Sequence, residues 1–285
     1  MAKTHDLKRR IRSIKNTMQV TKAMKMVSAA RLRRAQDRIL AARPFAVTMA
    51  SVLSSLAARA NPESHPLLVE RKVKKVELIL VTSDRGLCGS FNANAIKAAA
   101  AFLGQYPKEA ITMMTIGRRG RDFVRRRRVP ITAEWVDVFR ELDFSLAQTI
   151  AGDVIDRYVK GDVDAVFVAY NEFKNVVSQR PVVEQILPIP RSQLLGGEAG
   201  EDYIYEPSPE ELFEAILPGY VRVQVWRSLL ESAAAEHAAR MTAMDSATNN
   251  AKELTEALTL HMNRVRQASI TTEIIEVVSG AAALG

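Results

Sequence analysis

With 285 residues, 47% of them hydrophobic and 25% charged, the chain has the composition of a globular protein with room for one sizeable core or two. A formal net charge of +8 at pH 7 points to anionic surroundings, and the single cysteine, Cys88, excludes an intramolecular disulfide framework. Mean hydropathy is −0.06 and no run of 18 apolar residues exists, so no membrane-spanning helix is expected.

The N-terminus reads MAKTHDLKRRIR rather than an apolar leader, so secretion is not expected. An apolar stripe at helical spacing starts at Leu7, Ile11, Ile14 and Met18, too early for a removable transit segment, and resumes at Leu32, Ala35, Ile39, Ala42, Ala46, Met49, Leu53 and Leu56. Between the two runs, Thr21, Lys25 and Ser28 hold the seam positions while Met24 and Val27 sit one step aside, which predicts a seam that drifts around the helix. A helix from about Lys3 to Ala58 follows, bent or broken near Arg43 by Pro44 and ended by Asn61-Pro62 and His65-Pro66. Residues 1–43 carry thirteen Lys and Arg against Asp6 and Asp37, a net of +11. Such a face suits nucleic acid, an anionic membrane surface or an acidic protein surface, or is simply solvated. Zinc-ligand spacing, an aromatic ladder and an RNA-binding sheet motif are all missing, which weighs against nucleic acid.

A different organisation begins at Val73. Apolar, β-branched runs at Val73 to Ser83, Ile111 to Gly117, Val129 to Val136 and Asp164 to Phe173 read as strands, and Pro181 to Pro190 as an edge strand. Helices are predicted over Asn92 to Leu103, after Gly117, and from Phe144 to Tyr158, the last opened by Asp143 or Ser145. This alternation implies a three-layer α/β domain with a mainly parallel sheet. Leu194 to Asp202 is glycine-rich loop. The turn SDRGLCGSFN (Ser83 to Asn92) is either a phosphate cradle or a tight structural turn. It lacks the third glycine of a dinucleotide fingerprint and the Lys-Ser/Thr ending of a P-loop. Asp84 and Glu172 have no visible catalytic partner, and His5, His65, His237 and His261 show no metal spacing. No catalytic, cofactor or metal residue is therefore assigned. Cys88 reads as a small buried hydrophobe, and Arg125 to Arg128 as an exposed helix face.

Ser208, Pro209 and Glu211 form a helix start. Leu217-Pro218-Gly219 is expected to kink or interrupt that helix before it runs on from about Tyr220. From Met244 a seam of period 3.5 passes through Ala247, Ala251, Leu254, Leu258, His261, Val265, Ala268, Thr272, Ile275, Ser279 and Ala282. Two long amphipathic helices at opposite ends of a chain pair most simply as antiparallel partners, the other arrangement being two helices lying flat on a globular domain. The expected fold class is α+β: an antiparallel coiled coil of the terminal helices with an inserted Rossmann-like α/β domain. Its segments are 1–59 (N-terminal helix), 60–207 (α/β domain) and 208–285 (C-terminal helix).

Three stretches resemble the gamma subunit of bacterial-type rotary ATP synthases: VTKAMKMVSAARLRRAQ (Val20 to Gln36), TSDRGLCGSFN (Thr82 to Asn92) and RQASITTEIIEVVSGAAAL (Arg266 to Leu284). The last carries that family's Ile270-Thr271, Glu273, Glu276 and Gly280-Ala281 pattern. The resemblance implies a non-catalytic central shaft that couples rotation of a c ring to the catalytic sites of three alpha and three beta subunits. It needs no cofactor and touches the epsilon subunit and the c ring. Membrane contact comes only through the c ring, at the cytoplasmic face of a bacterial plasma membrane, with no nucleic acid involved. By the same resemblance Met24 and Lys25 meet an acidic beta-subunit loop, and Arg266 and Gln267 bind a beta-subunit loop near the top of the shaft. Arg240, Thr271 and Glu273 match neighbouring contact positions, Ile275 to Leu284 would run in a hydrophobic sleeve, and Tyr203, Tyr205 and Glu206 face the c ring. A free-standing α/β nucleotide- or phosphate-binding module with a helical dimerisation arm is the other reading of the residues.

Overall fold

The computed structural model describes residues 2–57, 65–190 and 208–282. The chain divides into two compact units, Ala29–Arg240 and the pair of segments Met1–Ser28 and Met241–Gly285. Two long helices contribute to both: α1, Ala2–Ala57, and α5, Pro209–Ala282. The expected linker at Asn61-Pro62 and the loop at Leu194 to Asp202 lie outside the described residues.

The unit Ala29–Arg240 is built on five strands, β1 Val76–Val81, β2 Ile111–Ile116, β3 Ile131–Trp135, β4 Ala165–Phe173 and β5 Gln179–Leu187. They lie in the order β3-β2-β1-β4-β5. The first three pairings are parallel and β5 runs antiparallel to β4. Central β1 is buried at all six positions, as a parallel strand covered on both faces must be, and this accounts for its run of apolar residues from Leu78 to Val81. Its side chains alternate between two layers. Leu78 and Leu80 pack with Ala95 and Ala99 of α2 (Phe91–Leu103) and Val124 of α3 (Arg118–Arg127). Ile79 and Val81 share the larger core with Ile150, Val154 and Tyr158 of α4 (Phe144–Lys160), Leu53 and Leu56 of α1, and Phe213, Leu217, Val221 and Leu229 of α5. The polar exception is Glu77, fully buried, whose Oε1 accepts from Thr132 Oγ1 at 2.6 Å and Arg157 Nη1 at 2.9 Å. Helix α4 opens at Asp143, whose carboxylate accepts from the Ser145 amide at 2.9 Å, and closes on Gly161 at φ 78°. Ser208 caps α5 by accepting from the Glu211 amide at 3.2 Å.

Four expectations are corrected, the first two in the break that each allowed. Helix α1 is continuous through Pro44, because Pro44 and Leu40 are both exposed and the carbonyl that loses its donor is left beside solvent. Helix α5 is likewise unbroken at Pro218-Gly219. Phe213 and Leu217 before the pair and Tyr220 and Val221 after it are all buried in one core, so packing holds the turn together. At Gly219 an added Cβ would stand 3.6 Å from Met49 Cε, an ordinary contact. Although no uninterrupted apolar run exists, a window of α1 reaches a mean hydropathy of 1.5, enough by length and composition alone for a membrane span. That window falls in the half of α1 that supplies Leu53 to the core.

The fourth correction concerns the seam in the other unit. Thr21 and Ser28 are buried while Val27 is 53% exposed, so the seam of α1 does not drift but becomes polar. Thr21 Oγ1 meets Thr248 Oγ1 at 2.8 Å and Lys25 Nζ donates to Asp245 Oδ1 at 2.6 Å. Toward the N-terminus, Asp6, Leu7 and Arg10 share a groove with His261 and Val265. As residue numbers fall along α1 they rise along α5, so the helices are antiparallel. On α5, Met244, Ala251, Leu258 and Val265 keep seam positions, but Leu254 and His261 are exposed and Thr248, Thr255 and Met262 stand in the half-covered places between.

Candidate partner-binding surface

The polar layer on the helix pair carries two of the expected contact residues. Met24 is half-buried, and its carbonyl accepts from Ser28 Oγ at 2.8 Å. Lys25 is held by Asp245, and both side chains remain nearly half exposed, at 41% and 47%. Thr21 Oγ1 also lies 3.0 Å from the Met18 carbonyl, and Thr248 Oγ1 2.7 Å from that of Met244. Three oxygen contacts share two hydroxyl protons, so one of them is always without a hydrogen. Around this layer Val20, Met26 and Val27 are 53–63% exposed. The surface therefore combines apolar side chains with the cations Lys22 and Lys25.

Farther along α5, Arg266, Gln267, Thr271 and Glu273 are all exposed. Thr271 Oγ1 donates back to the Gln267 carbonyl at 3.0 Å, which fixes the hydroxyl. Every residue from Thr271 to Ala282 is exposed, and Ile274, Ile275, Val277 and Val278 are each 58–72% accessible. A row of aliphatic side chains left in water on a helix is an interaction surface.

Arg240 stands apart, in the unit Ala29–Arg240. Its side chain is 11% exposed, pairs with Glu236 at 2.7 Å and donates from Nη2 to the Gly86 carbonyl at 3.3 Å. It holds the Ser83–Asn92 turn. Inside that turn Asn92 Oδ1 accepts from the Ser83 amide at 2.9 Å, Ser83 Oγ donates to the Arg85 carbonyl at 2.6 Å, and Leu87 and Gly89 take positive φ. Cys88 is buried with Phe91, Ala235 and Ala239. The turn's interior is thus filled by its own side chains, the arrangement of a structural turn. Tyr203, Tyr205 and Glu206 lie outside the described residues. Among the described residues no group of His, Cys, Asp and Glu is placed to hold a metal ion.

Reasoning from sequence missed Asp245, Thr248 and the buried pair Glu236–His237. The signal available was weak: Thr21 opposite Thr248 and Lys25 opposite Asp245 emerge only once the two helices are set in register.

A long antiparallel helix pair with an exposed apolar end, joined to a Rossmann-like mixed sheet, defines a stalk-type subunit whose surfaces wait for other chains. The family model described as ATP synthase matches residues 3–284. An ATP synthase gamma chain from Anaeromyxobacter sp. (strain Fw109-5) is 50% identical over 289 residues, covering all of both chains. Among solved structures, a chain of the Tetrahymena thermophila mitochondrial ATP synthase central stalk and c ring aligns with TM-score 0.63 and 29% identity, over 80% of this chain and 99% of that one. A chain of the Euglena gracilis mitochondrial ATP synthase rotor shares the fold, with TM-score 0.67 and 19% identity over 94% and 99%. The chain belongs to the ATP synthase gamma-chain family.

Proposed function

We propose that the chain is the central shaft of a rotary ATP synthase, coupling rotation of a c ring to conformational change at catalytic sites carried by three alpha and three beta subunits. It performs no bond chemistry itself. An asymmetric helix pair inside a threefold ring contacts only one beta subunit in a given way, so the three sites differ in affinity. Turning the pair by a third of a revolution exchanges their states. The observation that carries this reading is the pair formed by residues 2–28 and 241–282, in which α5 runs on exposed from Thr271 to Ala282.

In this reading segments 1–59 and 208–285 form the shaft and 60–207 the α/β domain that meets the epsilon subunit and the c ring. Met24 and Lys25 engage an acidic beta-subunit loop, Arg266, Gln267, Thr271 and Glu273 a second contact, and Tyr203, Tyr205 and Glu206 the c ring. Arg240, with little surface of its own, acts by holding the Gly86 turn. The protein sits at the cytoplasmic face of the membrane and reaches it only through the c ring.

Co-expression with alpha and beta subunits tests the proposal. The expected product is a complex containing one copy of this chain, with ATP hydrolysis dependent on it. A chain that stays free, with hydrolysis by the alpha and beta subunits unchanged, would overturn it.

A further inference from the structure

In the unit Ala29–Arg240, a cleft of about 280 Å³ is lined by Arg31, Arg34 and Arg38 of α1, by the segment Phe139 to Leu142, and by Leu230, Ala233 and His237 of α5. Four guanidinium groups, those of Arg31, Arg34, Arg38 and Arg140, face one carboxylate, Glu141, so the lining carries a net +3. The arginines of α1 recur at spacings of three and four, which puts them on one helix face. Arg38 gives one N–H to the Leu142 carbonyl at 3.2 Å. None of the four forms an ion pair among the described residues. The floor is apolar and buried at Ala35, Leu142, Leu230 and Ala233, and a low-dielectric wall strengthens the field of the cations above it.

A second observation is independent of the arginines. His237 is 7% exposed, lines the same cleft, and its Nδ1 is buried with no hydrogen-bond partner. A buried ring nitrogen is ordinarily satisfied; this one has no partner among the described residues, and in the tautomer that carries its hydrogen it can donate to an anion. The cleft lies just under the roughly 300–1,000 Å³ of pockets that enclose drug-sized ligands. Its size therefore favours a small anion.

We propose that this cleft binds a phosphate-type oxyanion, held by the guanidinium groups of Arg31, Arg34, Arg38 and Arg140, with His237 donating from Nδ1 in the tautomer that carries the hydrogen there. Guanidinium pairs suit tetrahedral oxyanions because each presents two parallel N–H groups to two oxygens. The anion is either free inorganic phosphate or the phosphate end of a nucleotide.

Calorimetric titration of the full-length chain with sodium phosphate, and separately with ADP, tests the site. Saturable one-to-one binding of phosphate identifies the free anion as the source. Binding of ADP with none of phosphate identifies the nucleotide. In either case the double variant Arg34→Ala/Arg140→Ala is expected to bind at least about tenfold more weakly. Arg33→Ala, an exposed α1 arginine outside the cleft, should bind as the parent does. The His237 ring-nitrogen resonances should shift on titration in the parent and, at the ligand concentration that half-saturates the parent, shift far less in the double variant, whose surface substitutions leave the core intact. Absence of saturable binding by both probes, equal loss in Arg33→Ala, or unmoved His237 resonances in the saturated parent would each overturn the proposal.

Discussion

His237 carries its burial as a pH dependence. Desolvation first, and then the charges of Arg240 and Arg31, lower its pKa to about 4. The folded state thus binds this proton less readily than the unfolded state, where the value is near 6.5. The stability from keeping the ring neutral is fully present above pH 6.5 and is lost as pH falls through 4, on the order of 3 kcal/mol by pH 4. Urea denaturation at pH 7 and pH 4 should show that much more loss in the parent than in His237→Gln, and equal losses would contradict it. Burial raises the pKa of neighbouring Glu236, an opposite dependence that both proteins share and the comparison cancels. Gly117 is constrained by geometry. It sits at φ +90°, where an added Cβ would lie 2.0 Å from the Thr82 carbonyl oxygen. Gly117→Ala should cost about 3 kcal/mol from backbone strain and overpacking together, read from the denaturation midpoint.

At the scale of elements, the polar layer of the helix pair invites a direct test. Each threonine keeps a backbone carbonyl acceptor on its own helix, so the cross-helix contact adds little net energy. Thr21→Val should change stability by less than about 1 kcal/mol. The double variant Thr21→Val/Thr248→Val should be neutral or stabilised by about as much, since both hydroxyls are then replaced by apolar groups of the same shape. A loss above about 2 kcal/mol in the double variant would show that the layer holds the helices rather than setting their register. The exposed end of α5 behaves differently. Deleting residues 271–285 removes described side chains that are all exposed, so the melting temperature of the free chain should move by less than about 3 °C. The same deletion should weaken assembly with alpha and beta subunits and lower the yield of ATP synthesis per turn, measured in reconstituted vesicles.

For the molecule as a whole, charge asymmetry sets the approach of partners. Residues 1–43 hold a net +11 within a chain of net +8, so the remainder is slightly acidic. Association with an acidic partner should be steered electrostatically, its on-rate falling about tenfold or more between low and high ionic strength. A rate indifferent to salt, followed by stopped-flow fluorescence, would assign recognition to the apolar residues Val20, Met26 and Val27 instead. The Rossmann-like sheet and the terminal helices were legible in the chain because their signals are local: β1 and β4 are predominantly apolar, β-branched runs, Asp143 and Ser208 are helix caps, and the terminal stripes recur at a heptad spacing. The two prolines misled the reading for the same reason. Pro44 and Pro218 are helix breakers judged by their own backbone, yet solvent beside one and a core on both sides of the other keep α1 and α5 continuous. Which residues oppose which across the pair was not legible either, since Thr21 meets Thr248 and Lys25 meets Asp245 over more than two hundred intervening residues. Periodicity and propensity are properties of neighbouring residues and can be read from the chain. The helix register, the burial of His237 and the gathering of four arginines into one cleft arise when distant segments pack, and only the folded structure decides them.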